Sequence, residues 1–506
     1  MDTTLRDGEQ TTGVSFSSNE KLNIAKILLD EVKVDRLEIA SARVSEGEFK
    51  GSQKVVNWAG ENGYLDQVEI LGFVDGKLSL DWINNAGGKV VNLLCKGSYR
   101  HVTQQLRHTP EEHLKNIRAS IEYASRLGIK TNIYLEDWSN GMRNSQDYVF
   151  FMIDGFKNEN IDRIMLPDTL GILAPDETYD FIFKILQKYP DLNFDFHPHN
   201  DYDLATANVF AAIRAGIRCV HTTVNGLGER AGNVPMSSVV AIVKDHFKME
   251  MSIVESKLSK ISRMVESFSG IRVPTNKPLI GEFVFTQCSG IHADGDHKDN
   301  LYFNDLIPER FGRTRKYALG KTSGKASIRK NLEELGITLD PEALKKVTER
   351  IIELGDQKET VTLEDLPYII SDVLKSEAIE QIITLKNYST SHALGLRPVT
   401  GLSIEIDGIV YQEHASGDGQ YDAFMNALKA IYKKLGRPLP KLIDYVVTIP
   451  PGGRTDALVE TVITWELEKE FKTRGLDPDQ TVAAIKATMK MLNILEHEFK
   501  MKQTHA

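Results

Sequence analysis

Two histidines one residue apart close an apolar run in this chain, His197-Pro-His199. Residues two apart on a strand face the same side, so both imidazoles can reach one cation as neutral nitrogen ligands. The plainer alternative is two hydrogen-bonded polar histidines at a strand end. Asp7 becomes a third ligand if the strands close into a barrel, whose rim is small. Two imidazoles and a carboxylate leave positions open for water and substrate oxygens, as Lewis-acid catalysis requires. Arg6 next to Asp7 either stabilises an enolate or alkoxide oxygen beside the metal or only positions Asp7 through an ion pair.

Further candidates follow other apolar runs. Asn225–Asn233 holds three glycines in nine residues, a tight loop without the GxGxxG or GxxxxGK[ST] spacing of a phosphate cradle. Asn233 could approach the metal or its water, while Glu229 and Arg230 read as braces of the loop. Asp168-Thr169 and Glu136-Asp137 are either helix caps or rim groups, with Thr169 binding a substrate carboxylate and Glu136 relaying a proton. His292, in Ser289–Gly295, has no assignment from spacing alone.

Such residues need a scaffold that collects them. Up to about residue 245, short apolar runs alternate with longer amphipathic segments. The runs lie near Arg36–Ile39, Glu69–Phe73, Val90–Leu94, Ile129–Leu135, Arg163–Leu166, Asn193–His197 and Cys219–Thr223. Ser18, Thr109 before Pro110, and Pro175 read as helix starts. With Met1–Thr3 as a first strand, the pattern predicts eight strand–helix units, an α/β fold closed as a (β/α)8 TIM barrel over residues 1–250. An open doubly wound sheet is the alternative. In a barrel all the candidate residues sit at strand ends and converge on one face.

Residues 251–385 read as helical linker subdomains, with helices at Ser256–Phe268 and Pro341–Gly355 and a loop at Asp296–Asn304. Residues 386–506 read as an α+β domain. Strands at Ala378–Leu385, Thr400–Ile406, Ile409–Ala415 and Ile443–Ile449 interleave there with helices at Asp422–Lys434 and Pro478–Asn493, the order of two similar units. Lys386–Thr390 is the expected boundary.

The 506 residues are 41% hydrophobic and 26% charged, the balance of a globular protein. A formal net charge of -10 disfavours nucleic acid and anionic membrane as partners. Three cysteines without CxxC spacing suit a reducing cytoplasm and give no thiolate zinc site. No run of roughly 18 apolar residues suggests a membrane span, and no signal peptide precedes the first motif.

Asp2–Gln10, His197–Asp201 and Asn225–Asn233 resemble the signatures of the metallolyase-type barrel superfamily, and within it 2-isopropylmalate synthase and its homocitrate and citramalate relatives. The resemblance extends along the chain. Ser289–Gly295 is similar to the family's linker histidine motif and Gly320–Gly324 to its GKxSG element. Gly417–Ala423, Arg454-Thr-Asp-Ala457 and Gly475–Asn493 resemble the leucine-binding regulatory domain.

The resemblance implies ligation of a divalent metal (Mg2+, Mn2+ or Zn2+) by Asp7, His197 and His199, with Asn233 close by. Arg6 would polarise the oxo group, His101 and Thr169 would hold the 2-oxo acid, and Glu136 would shuttle protons. His292 and Tyr302 would reach a neighbouring subunit's barrel, which implies a homodimer. The implied reaction is condensation of acetyl-CoA with 2-oxoisovalerate and thioester hydrolysis, with leucine as feedback effector.

Alternatives keep the chemistry but change the acceptor to pyruvate, giving citramalate, or to 2-oxoglutarate, giving homocitrate. A hydroxyacyl-CoA lyase would carry a cysteine in the glycine loop, where none stands, and a non-catalytic sensor would not need the metal set. Tyr134 stands where such synthases usually have serine, Leu71–Gly76 and Lys96–Arg100 depart from the 2-isopropylmalate synthase wording, and Thr322 takes a place often held by histidine. The first strand starts late relative to the family, so a partly unpaired barrel seam is expected.

Overall fold

The computed structural model describes residues 1–335, 337–356, 361, 363–374, 382–448, 459–467 and 470–504. The motif Arg454–Ala457 and residues 378–381 of the first expected C-terminal strand lie outside the described residues. The chain divides into two compact units, Met1–Thr286 with Phe303–Lys316, and Gln287–Tyr302 with Tyr317–Ala506.

The first unit is built on one parallel sheet in sequential order: β1 (Leu37–Ser41), β2 (Val68–Phe73), β3 (Val90–Lys96), β4 (Lys130–Glu136), β5 (Arg163–Asp168), β6 (Phe194–Pro198) and β7 (Cys219–Val220). Helices follow the strands as the periodicity predicts. Thr109 caps Pro110–Arg126 in a capping box with Glu112. Ser17 rather than Ser18 caps Ser18–Lys26, because its hydroxyl reaches the Glu20 N–H while the Glu20 carboxylate returns to the Ser17 N–H.

Asp2 carries the two bridges that close the barrel. It bridges in parallel to Leu37 on one side and Thr222 on the other, with its N–H donating to Arg36 O and its carbonyl accepting from Glu38 N–H, both at 2.9 Å. The expected strand Met1–Thr3 is thus reduced to one bridged residue. A cavity of 310 Å³ lies at this seam, lined by Met1, Val34, Cys219, Val240 and Met251 among others.

Apolar residues of the strands' outer face pack on the helices, but the barrel interior is largely polar. Glu38, Glu69, Asn92, Asn132, Asp195 and His221 are each at most 1% exposed. They pair with one another and with Arg6, Arg36 and Arg163, so each buried charge has a counter-charge or donor.

In the second unit, helices Lys325–Glu334, Pro341–Asp356 and Leu366–Leu374 enclose Ile328, Val347, Ile351 and Leu366. Two antiparallel three-stranded sheets follow: Ile383–Ser391, Val399–Ile406 and Ile409–Ser416, then Lys441–Thr448, Val459–Glu466 and Glu470–Asp477. Helices Gln420–Leu435 and Gln480–Thr504 succeed them in turn and share a core with Phe424, Leu428, Trp465 and Leu492, the two similar units expected.

Two expectations are corrected. Lys386–Thr390 is not a boundary but the middle of a strand, where Asn387–Thr390 pair with Thr400–Ser403 past an irregularity at Lys386; its polar residues mark an exposed face. Asp296–Asn304 is not all loop, because helix Gly290–Asp299 runs on until Asn300 turns left-handed at φ 52°.

Burial pushes the Asp2 carboxyl up to about 7, against hydrogen bonds from the Thr4 N–H and hydroxyl. The unfolded chain gives up this proton near 3.8, so the stability Asp2 contributes is lost progressively as pH rises from about 4 to about 7. Asp2→Asn removes that loss. Relative to wild type, its melting temperature should therefore rise between about pH 4 and about pH 7 and level off above; a pH-independent gap between the two proteins rejects this.

Candidate metal centre

Asp7 sits just past the closing residue, held by its N–H to Thr3 O at 2.9 Å. The segment is anchored from below by Lys21, which is 1% exposed. Its ammonium donates to Leu5 O and Ile39 O and pairs with Glu9 and Glu48, tying the loop to the end of β1. His197 lies in β6 and His199 one step past its end. Asp7 Oδ2 stands 3.0 Å from His197 Nε2 and 3.6 Å from His199 Nε2, and the two ring nitrogens are 3.4 Å apart.

These three side chains form a cluster able to coordinate a divalent cation. All are buried, and neither Asp7 oxygen has a properly oriented hydrogen-bond donor. Burial drives the His199 pKa down to about 4, so the ring is neutral at neutral pH. For Asp7 burial acts upward, but Arg6 and the two imidazoles outweigh it and hold the carboxyl far below the usual range. An ionised carboxylate and ring nitrogens, converging without enough protons between them, fit a cation.

Asn233 is brought to the same place. It bridges to His199, its side-chain N–H donates to Leu227 O at 3.1 Å, and its Oδ1 is buried without a donor. The glycine loop allows this approach: a Cβ on Gly228, at φ +155°, would collide with the Asn233 amide. Arg230 reaches Asp201 and Thr169 O, the bracing role expected of it.

Arg6 contacts Asp7 at 3.3 Å and Glu38 at 2.7 Å. Glu136, at the end of β4, pairs with Lys96 from the end of β3. His101 Nε2 lies 3.5 Å from Asp137 Oδ2, and the Asp137 N–H donates to Thr169 Oγ1 at 2.8 Å. Asp168 is a brace, accepting the N–H groups of Ile172 and Leu173. The first unit therefore holds Arg6, Asp7, His101, Glu136, Thr169, His197, His199 and Asn233. His292 and Tyr302 belong to the second unit, where their rings lie 4.2 Å apart and His292 Nδ1 faces Gln287 Oε1 at 3.3 Å.

Spacing did not single out Glu38 or His221; their only signal is a lone polar residue inside an apolar run. A second cluster, Asp195, Cys219 and His221, already holds its cation, because the Arg36 guanidinium donates to both Asp195 and Cys219 Sγ.

Residues 1–265 match the family described as HMGL-like, residues 279–359 the homocitrate synthase post-HMGL domain-like family, and residues 360–496 the LeuA allosteric (dimerisation) domain. A Methanopyrus kandleri protein provisionally named (R)-citramalate synthase CimA is 36% identical over 90% of this chain and 88% of its own. One from the same organism, provisionally named 2-isopropylmalate synthase, is 35% identical over 98% and 97%. The (R)-citramalate synthase CimA of Methanocaldococcus jannaschii is 34% identical over 98% and 99%.

If the cluster holds a cation, His199→Ala should abolish tight Mn2+ binding and turnover while the melting curve stays cooperative. Unchanged Mn2+ affinity by calorimetry would remove the ligand assignment.

Proposed function

The chain belongs to the HMGL-like family, within the group of 2-isopropylmalate, homocitrate and citramalate synthases, metal-dependent enzymes of Claisen condensation; from that premise we propose that its acceptor is pyruvate and its product citramalate. The observation that carries this reading is Tyr134. Its ring is 3% exposed, packs with Leu71 and Met165 and stands edge-on to His197, 5.7 Å between centroids. A phenol there fills room beside the cation cluster that the branched side chain of 2-oxoisovalerate would need. Overlap of about one methylene is worth roughly 10–200-fold in discrimination. The 2-oxoisovalerate reading favoured by the sequence is the second one, and the 2-isopropylmalate synthase relative supports it.

A divalent cation held by Asp7, His197 and His199, with Asn233 beside it, would supply Lewis-acid polarisation of the 2-oxo acid. Arg6 places a permanent positive charge where negative charge develops on the acceptor oxygen as the new carbon–carbon bond forms. Thr169 keeps its hydroxyl proton free to donate to the acceptor carboxylate, because the Asp137 N–H occupies a lone pair; His101 lines the same rim. Glu136, oriented by Lys96, is our candidate for moving the proton from the acetyl-CoA methyl group. His292 and Tyr302 are proposed to reach a neighbouring subunit's barrel and serve the thioester there, which water then cleaves to release CoA. The LeuA-type domain supports a homodimer, and we infer that it binds an amino-acid effector, leucine being the first to test.

Thiol release from acetyl-CoA, with Mg2+ or Mn2+ and each 2-oxo acid in turn, should give the highest kcat/KM with pyruvate. Tyr134→Ser should move the pyruvate to 2-oxoisovalerate ratio toward 2-oxoisovalerate by about tenfold or more. A wild type that prefers 2-oxoisovalerate overturns the pyruvate assignment.

A further inference from the structure

The Tyr134 hydroxyl is tied on both sides. It accepts from Arg6 Nη2 at 3.3 Å and lies 2.9 Å from His221 Nδ1, while His221 Nε2 lies 3.1 Å from Asp195 Oδ2. Asp195 is 0% exposed and faces both Arg36 and Arg163, so it is a carboxylate and can only accept. His221 Nε2 must therefore carry the proton. The Tyr134 oxygen already accepts from Arg6, which can only donate, so His221 Nδ1 is the acceptor left beside its buried O–H, and a buried hydroxyl needs one. Nδ1 is thus a bare acceptor, and the Tyr134 O–H must donate to it.

Every direction in the chain follows: Arg6 donates to Tyr134, Tyr134 to His221 and His221 to Asp195. With Nε on Glu38 at 2.7 Å and Nη2 on Tyr134, the guanidinium is fixed on two sides, and Nη1 is left on Asp7 at 3.3 Å.

We propose that His221 is a positioning residue, which by accepting the Tyr134 proton makes the phenol oxygen a fixed acceptor for Arg6 and so aims Arg6 at the reacting oxygen. This rests on the role given to Arg6 above. Without a bare nitrogen at the Nδ1 position, the Tyr134 proton turns elsewhere and Arg6 loses its second anchor. The chain runs from β6 and the end of β7 through β4 to the closing segment, and His221 acts on Arg6 only through Tyr134.

The test separates the two ring nitrogens. Asparagine places an oxygen near Nδ1, whereas glutamine places its amide near Nε2. His221→Asn should retain kcat within about threefold, because the acceptor for Tyr134 is kept. His221→Gln should lower kcat about tenfold with KM for the acceptor little changed, since an aligned charge matters most in the transition state. Tyr134→Phe should lower kcat alike, and the double variant Tyr134→Phe/His221→Gln should be no slower than either single. Crystal structures of the wild type and the two His221 variants give a second readout: Arg6 should stay on Tyr134 in the wild type and His221→Asn, and leave it in His221→Gln.

Equal losses in His221→Asn and His221→Gln, or multiplicative losses in the double variant, overturn the proposal. The kinetic arms use whichever 2-oxo acid the wild type turns over, so a wrong acceptor leaves this test intact. Absence of turnover with every acceptor counts against the functional reading alone, and the crystal structures then decide the positioning proposal.

Discussion

Asp7 is a carboxylate that is 1% exposed and has no properly oriented hydrogen-bond donor on either oxygen. An ionised carboxylate taken from water without compensation costs far more than a domain's net stability. It persists because Arg6 lies at 3.3 Å and two imidazoles converge on the same oxygen. That local balance sets the rest of the barrel. Arg6 is itself a buried cation and needs Glu38; Glu38 has further lone pairs and takes Thr3 and Asn92; Asn92 takes Asn132. The polar interior is what remains when each buried charge requires the next partner inward.

The same constraint explains the scaffolding around the rim. A cluster whose members must converge within hydrogen-bond distances cannot hang on loose loops. Lys21 therefore spends its donors on two backbone carbonyls and two carboxylates under the Asp7 loop. Asp168 caps the loop after β5 through Ile172 and Leu173, and Arg230 ties the glycine loop to Asp201 and Thr169. A buried ion pair adds little net stability over an apolar pair, yet losing one partner is costly. These links therefore count mainly for geometry.

What the sequence makes legible follows from this division. The strands could be read because their helix-facing residues form apolar runs, and the cluster because His197-Pro-His199 and Asp7 follow such runs. The interior network could not be read that way. Glu38 in Leu37–Ala40 and Asn132 in Lys130–Glu136 look like interruptions of an apolar strand, and only barrel closure makes them neighbours. Lys386–Thr390 failed in the opposite sense: exposed strand polarity has the composition of a linker, and only its pairing with Val399–Ile406 tells them apart. Residues 296–299 failed because Gly295 weighs against a helix locally, while packing beneath Tyr302 needs a residue without a Cβ there.

Closure through Asp2 joins these points. One residue makes the bridges to both Leu37 and Thr222, and five residues later the chain supplies the carboxylate ligand. Backbone hydrogen bonds from Asp2 to Arg36 O and from Glu38 to Asp2 O fix where Glu38, and hence Arg6, can sit. From the opposite side, the Thr3 N–H to Thr222 O bond sets the closing segment against the residue that follows His221. The segment that completes the barrel is therefore the one that carries Arg6 and Asp7 to the face where His197, His199 and Asn233 converge. Closure of the fold and assembly of the site depend on the same hydrogen bonds, so a shift at the seam also displaces Asp7.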